Sequence, residues 1–107
     1  MKKLILVILA LVVVGAILFA LSWPKPSGNQ VSLQFLSFHP GTLTVSVGTT
    51  VTWTDKDWIV THDVIGNGWA SGTLSRGGTF SHTFTEAGTY DYRCSHHSWM
   101  KGRIVVR

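Results

Sequence analysis

The feature that most constrains the fold is an alternation of apolar and polar residues that recurs along the chain after residue 30. The segments LTVSV, TVTW, TFSHTF and TYDYRC each put bulky or β-branched side chains on one face and small polar ones on the other. Such alternation is typical of half-buried β-strands, and glycine-containing turn signals separate the segments. We therefore predict an all-β domain of seven to eight short strands, arranged as an antiparallel sandwich or barrel.

The first 23 residues have a different character. Lys2 and Lys3 precede an unbroken apolar run of 18 residues, Leu4 to Leu21. A run of about 17–25 apolar residues can cross a bilayer as a helix. We predict that residues 1–23 form one N-terminal hydrophobic helix that acts as a transmembrane anchor, with a cleaved signal peptide as the alternative because Ala20-Leu21-Ser22 resembles a cleavage site. Both interpretations export the rest of the chain, since the paired lysines stay on the cytoplasmic side.

Composition divides the remainder into a linker and a domain. Residues 24–30 (PKPSGNQ) are polar and rich in helix and strand breakers, so we interpret them as a linker to a domain at residues 31–107. The net charge of +4 falls to +1 after the linker, because three of the nine basic residues precede Ser27 and all five acidic ones follow it. A nearly neutral domain does not support a nucleic-acid partner.

The chain contains a single cysteine, Cys94, which lies in the segment CSHHSWM at residues 94–100. A lone thiol cannot form an internal disulfide, although small exported domains often depend on disulfides. In an oxidising compartment such a thiol is buried, paired with another molecule, or bound to a metal. Its neighbours in the sequence favour the metal.

His97 follows Cys94 by three residues and Met100 follows His97 by three, so one tight loop can turn three soft or borderline ligands toward one point. The segment THDV supplies His62 from a distant part of the chain. Two histidines and one cysteine in a plane, with a weak axial methionine, form the ligand set of blue-copper sites, whereas structural zinc sites contain no thioether. Taken singly, each residue has an ordinary explanation as core packing or as a surface pair with Asp63.

Three segments resemble the cupredoxins of the plastocyanin and azurin superfamily: FHPGTLTVSVGTTVTWTDKD, THDV and GTFSHTFTEAGTYDYRCSHHSWMKGRIVV. The spacing C-x2-H-x2-M is similar to the short ligand loop of amicyanin-like members. This resemblance implies a Greek-key β-sandwich (cupredoxin-like) and one type 1 copper ion. The implied copper ligands are His62, Cys94, His97 and Met100. The implied activity is the transfer of single electrons between redox partner proteins, so we expect a carrier and not an enzyme.

The segments depart from the family pattern at two places near the ligands. His96 is a possible rival of His97, although the spacing and the family register favour His97. Asp63 stands where the family commonly has asparagine, and we predict that its carboxylate accepts a hydrogen bond from the Ser95 hydroxyl, which would tie the two ligand segments together. Trp99 and His96 are candidates for a docking patch around His97.

Two other functions remain open at this point. One is a copper carrier or storage protein, and the other is a metal-free immunoglobulin-like interaction module. For the electron carrier we expect a monomer attached to the membrane by its N-terminal helix, with the domain on the periplasmic or extracellular side, or a secreted domain if the signal is cleaved. Partner proteins would dock transiently. An enzyme is disfavoured, since a site filled by four ligands leaves no position for a substrate.

Overall fold

The computed structural model describes residues 28–107, which form nine β-strands connected by turns and loops. The strands are β1 (Gln30–Gln34), β2 (Ser37–His39), β3 (Thr42–Val45), β4 (Thr50–Asp55), β5 (Ile65–Gly66), β6 (Trp69–Ala70), β7 (Thr79–Thr83), β8 (Gly88–Arg93) and β9 (Lys101–Val106). The all-β prediction is confirmed. The predicted number of strands is too low because β5 and β6 contain two residues each, which is too short for alternation to reveal.

The expected N-terminal helix at residues 1–23 and most of the linker lie outside the described residues. Within residues 28–107, no helix has the length and the apolar character that crossing a bilayer requires.

The strands form two sheets that face each other as a sandwich. One sheet has the order β2-β1-β4-β7 and the other the order β3-β9-β8-β5-β6. The predicted β-sandwich is confirmed, but its sheets are mixed where we predicted antiparallel ones, because β1 pairs with β4 and β3 pairs with β9 in parallel. These parallel neighbours are far apart in the sequence, and alternation within a strand carries no information about the direction of such a partner.

The core lies between the two sheets and is rich in aromatic side chains. Trp53 is fully buried on β4, and its ring lies 5.3 Å from that of Tyr92 and 5.5 Å from that of Trp69. Aromatic pairs at such distances add about 0.5–1.5 kcal/mol each beyond the burial of their area, and truncation of a buried tryptophan to alanine costs about 3–5 kcal/mol. His82 is half-buried and stacks on Trp69, with 4.7 Å between the ring centroids.

The hairpin of β8 and β9 determines where the CSHHSWM loop lies. The two strands pair from Gly88↔Val106 to Arg93↔Lys101, so residues 94–100 form the connection at one end of the sandwich. Gly102 has no room for a side chain, since a Cβ there would lie 2.3 Å from the Tyr92 ring. The backbone at the start of β9 therefore lies directly against the buried Tyr92 ring.

Candidate metal centre

Cys94 follows the last residue of β8 and points into the sandwich. Its side chain is 2% exposed, and its backbone N–H donates to the carbonyl of Met100 at 3.0 Å. This bond closes the loop across its two ends. The thiol is therefore protected from solvent by burial, and the loop offers its sulfur only to groups inside the protein.

His62 reaches the same place from the connection between β4 and β5. It forms an isolated β-bridge with Leu74, in which the N–H of each residue donates to the carbonyl of the other at 3.0 and 2.6 Å. The ring is fully buried, and Nδ1 lies 3.8 Å from Sγ of Cys94. Two backbone hydrogen bonds thus hold a histidine that the sequence places 32 residues from the cysteine.

His97 completes the cluster from within the loop. Its Nδ1 also lies 3.8 Å from Sγ of Cys94, and its ring centroid is 5.0 Å from that of His62. His97 is half-buried, in contrast to His62. The loop therefore brings one imidazole to the sulfur from the solvent side, while the other approaches from the protein interior.

The donor atoms of His62, Cys94 and His97 all lie within 4.8 Å of one another, which is a spacing that one metal ion can bridge. Metal–nitrogen and metal–sulfur bonds of about 2.0–2.3 Å that open by about 120° put the donor atoms about 3.7 Å apart. The two observed Sγ–Nδ1 distances of 3.8 Å agree with this value. The three residues fit a trigonal ion with one thiolate and two imidazole ligands.

Met100 is buried at the end of the same loop, with 1% of its surface exposed. Its N–H donates to the carbonyl of His97 at 3.1 Å, so its backbone is fixed relative to two of the clustered residues. A buried thioether on this loop would supply a soft donor of the kind that copper accepts and zinc seldom uses.

Asp63 connects the two segments that carry the cluster. Its carboxylate accepts hydrogen bonds from the backbone N–H of Ser95 at 2.6 Å and from the Ser95 hydroxyl at 2.5 Å. The hydroxyl bond is the one that the sequence predicts. Burial opposes ionisation of this carboxyl, but the hydrogen bonds from Ser95 outweigh burial and lower the pKa of Asp63.

His96, the rival ligand, lies outside the cluster. Its Nδ1 forms a hydrogen bond with the hydroxyl of Thr61 at 3.1 Å, and its Nε2 lies 3.8 Å from the Asp63 carboxylate. The ring is therefore engaged on the outer side of the connection between Asp63 and Ser95. Of the two adjacent histidines, the structure brings only His97 to the sulfur.

Asp57 is a residue of the site that sequence reasoning missed. Its Oδ2 lies 2.5 Å from Nε2 of His62. A carboxylate there accepts a hydrogen bond from the Nε2–H group of His62, which leaves the lone pair of Nδ1 free to face Cys94. Burial works against ionisation of Asp57, but hydrogen bonds from His62 and from the amides of Phe35 and Leu36 prevail and lower its pKa. No spacing in the sequence indicated this contact, because residues 57–62 lie outside the regular strands.

Asp57 also stabilises a strained turn between β1 and β2. Phe35 and Leu36 have φ angles of 55° and 56°, a left-handed conformation that is costly for bulky residues. Asp57 accepts both of their N–H groups, at 2.9 and 3.3 Å, and the indole N–H of Trp99 donates to the Leu36 carbonyl at 3.1 Å. One carboxylate therefore links His62 to a turn that the ligand loop also contacts.

Together, the fold and the site define a class of protein: a β-sandwich with a largely buried site of two imidazoles and one cysteine sulfur at one end. The comparisons with known proteins agree. Residues 27–107 match the family described as copper binding proteins, plastocyanin/azurin family. The chain belongs to this family, whose members bind copper, and copper is the metal that the donor set fits.

Three individual proteins illustrate the similarity. An amicyanin from Paracoccus denitrificans is 36% identical over 83 residues, which cover 71% of this chain and 63% of that protein. A purple cupredoxin from Nitrosopumilus maritimus is similar with a TM-score of 0.67 and 34% identity, over 73% of this chain and 98% of that one. A copper-containing nitrite reductase from Thermus scotoductus SA-01 is 31% identical with a TM-score of 0.69, over 78% of this chain and 23% of that one.

These coverages limit what the relatives imply. The chain spans less than two thirds of the curated amicyanin that it matches. The similarity to the nitrite reductase is confined to less than a quarter of that enzyme. The comparisons therefore support the cupredoxin domain itself.

Proposed function

We propose that this protein carries single electrons between redox partners, using one type 1 copper ion held by His62, Cys94, His97 and Met100. The observation that carries this proposal is the position of one buried sulfur at the same distance, 3.8 Å, from the Nδ1 atoms of two histidines. Bound copper would supply the couple of Cu(II) and Cu(I), and the protein residues determine where the ion sits and how far it can relax.

The protein residues hold the donor atoms in one arrangement. The β-bridge of His62 with Leu74 and the backbone bond of Cys94 with Met100 fix the two segments that carry the donors. Asp63 and Ser95 tie the two segments together. A site that is held in this way changes little between oxidation states, which favours fast electron transfer.

Burial of the donors excludes water and competing ligands. His62, Cys94 and Met100 are all 2% exposed or less, and His97 alone is half-buried. Four ligands in a closed site leave no position for a substrate, which supports an electron carrier over an enzyme. The His97 ring is then the shortest route from the donor set to the solvent.

Large apolar side chains are exposed around this route. Trp99 is 62% exposed, and its ring lies 5.3 Å from that of His97. The Trp99 indole contacts the turn between β1 and β2, where Phe35 is exposed. Asp57 accepts a hydrogen bond from the same turn, and the next two residues, Trp58 and Ile59, are also exposed. We call Phe35, Trp58, Ile59 and Trp99 the apolar patch. Exposed apolar side chains near a site are a common feature of interaction surfaces, and a small surface of this kind suits partners that bind and release quickly.

The location of the protein is also part of the proposal. An N-terminal apolar run that follows two lysines supports a domain attached to the outer face of the membrane. β1 runs from Gln30 to the turn at Phe35, which contacts the ligand loop through Leu36 and Trp99. A tether before Gln30 would therefore attach at the end of the sandwich opposite to the metal centre, and a monomer would present the centre to soluble partners.

The test is a copper titration of the purified full chain, monitored by optical and EPR spectroscopy. We expect one Cu(II) ion per chain, an intense thiolate-to-copper charge-transfer band and reversible reduction by one electron. If the protein loses copper slowly to a chelator while it is oxidised and reduced quickly, the result would support electron transfer as its function. Rapid transfer of the ion to the chelator would instead support a carrier of copper, and the absence of stoichiometric binding would contradict both.

A further inference from the structure

Two basic residues lie opposite each other where β8 and β9 meet the ligand loop. Arg93 and Lys101 are directly paired across the antiparallel strands, and both are exposed. Like charges in directly opposite positions destabilise a sheet. Arg93 immediately precedes Cys94, and Lys101 immediately follows Met100, so the unfavourable pair borders the metal centre.

The same residues line a cleft of about 680 Å³ on the outer face of the five-stranded sheet. Arg103 and Asp91 also line it, and Thr42 and Gly66 form parts of its edges. We call this the cationic cleft, since it contains three basic side chains and one acidic side chain. It is separate from the apolar patch, whose residues do not line it.

The cleft already contains one carboxylate that pairs with a guanidinium. Asp91 accepts hydrogen bonds from Nε and Nη2 of Arg103 at 2.7 and 3.4 Å, and this pairing lowers the pKa of Asp91. Among residues 28–107, no carboxylate forms an ion pair with Arg93 or Lys101. The cleft therefore retains two cations whose charges are available to an external acidic group.

We propose that the cationic cleft is a docking surface for a carboxylate-rich segment of the redox partner. The inference rests on the proposed function only in taking the partner to be a redox protein. Complementary charge increases the rate of encounter and orients the partner. Arg93 is the residue before Cys94 in the chain. A partner that binds Arg93 is therefore one residue away from the cysteine that supplies the sulfur ligand.

A protein partner fits the cleft better than an anionic membrane surface. The chain enters β1 at the end of the sandwich opposite to the ligand loop, whereas Arg93 and Lys101 flank that loop. A bilayer that held the N-terminal segment would lie at the far end of the domain. Within the same cleft, Arg103 already binds a side-chain carboxylate, that of Asp91. A carboxylate of a partner protein could bind Arg93 and Lys101 in the same way.

The test uses the copper-loaded full chain in nanodiscs of phosphatidylcholine and a fluorescent oligoglutamate peptide as the probe. Binding is measured by anisotropy at increasing salt. The double variant Arg93→Gln/Lys101→Gln should weaken binding by roughly three- to tenfold, since two exposed ion pairs are lost. The matched control Lys56→Gln/Arg107→Gln removes the same charge from exposed positions outside the cleft and should retain most of the affinity.

Equal loss of affinity in the two double variants would overturn the proposal, as would binding that does not weaken with salt. A second assay mixes the nanodiscs with phosphatidylserine vesicles and measures whether they float together. Flotation that the Arg93→Gln/Lys101→Gln variant abolishes would show that the cleft binds anionic lipid and would overturn the proposal of a protein partner. The visible spectrum of each variant reports the copper site separately. Intact peptide binding by a chain that fails to form a blue site would contradict the proposed function and not the cleft.

Discussion

The two histidines of the metal centre have the same distance to the sulfur and very different surroundings. His62 is fully buried, is fixed by a β-bridge and has its outer nitrogen bonded to Asp57. His97 is half-buried in a loop, and its ring faces the exposed indole of Trp99. One imidazole is bonded to a carboxylate inside the protein, and the other lies beside an exposed aromatic ring.

This contrast indicates that the two histidines have different roles: His62 fixes the geometry of the site, and His97 connects it to the protein surface. The interior side holds the His62 ring in one orientation and one tautomer, because the carboxylate of Asp57 accepts a hydrogen bond from Nε2–H and leaves Nδ1 unprotonated toward the sulfur. The solvent side offers a ring edge next to an apolar surface that a partner can cover. The four predictions below test this contrast.

The largest effect is expected from Cys94→Ser, which removes the atom that both imidazoles share. The variant should lose the intense charge-transfer band of the Cu(II) form completely, since a hydroxyl does not replace a thiolate as a soft ligand. Optical titration with Cu(II) checks this. Ser98→Ala in the same loop is the control and should keep the band. A Cys94→Ser protein that remains intensely blue would refute the ligand assignment.

The next effect separates the two histidines directly. In His97→Gly, external imidazole should enter the half-exposed space and restore the visible band, because the opening faces solvent. In His62→Gly, the space is fully enclosed, so added imidazole should restore little. The measurement is the absorbance of each Cu(II)-loaded variant during titration with imidazole. Equal rescue of both variants would remove the distinction between an interior and a solvent side.

A smaller effect is expected from Asp57→Ala, which leaves all four proposed ligands in place. Loss of the partner of a metal-binding histidine typically costs about 10–100-fold in metal affinity. Competition with a copper chelator measures this loss. Asp57→Asn, which retains an acceptor oxygen, should lie between alanine and the natural residue. Asp91→Ala removes an exposed carboxylate on the other sheet and should leave the affinity unchanged.

The smallest effect concerns Asp55, the buried neighbour of Asp57. Burial raises its pKa, and one of its oxygens has no hydrogen-bond partner. Its ionised form therefore reduces stability at neutral pH. Asp55→Asn should raise the free energy of unfolding of the metal-free protein at pH 7, and the gain should disappear below the ordinary aspartate pKa of about 4, where both states are protonated. Denaturant unfolding at both pH values provides the measurement. A gain that persists at low pH would point to a cause other than charge.

The sequence reveals the parts of the site that are local. Cys94, His97 and Met100 lie within seven residues, and alternation places the cysteine on the inner face of β8. The hydrogen bond between Asp63 and Ser95 could also be predicted, because each residue is adjacent to a proposed ligand. Short-range spacing and residue chemistry are enough for such features.

The parts that escaped prediction depend on the tertiary arrangement. Asp57 contacts His62 only because the chain between them folds back, and it also holds a turn that contains Phe35 and Leu36. Positive φ angles at two bulky residues contradict local preference, so no turn signal marks them. Val47 follows the alternation of β3 yet is 49% exposed, because the strand ends at Val45.

X-ray absorption at the copper K-edge of the loaded protein tests the central claim most directly. A copper ion between His62, Cys94 and His97 should give a first coordination shell of two imidazole nitrogens and one short sulfur distance. A shell of nitrogen and oxygen alone, or one with a single imidazole, would contradict the account, because the sulfur and the two rings would then not share one metal ion.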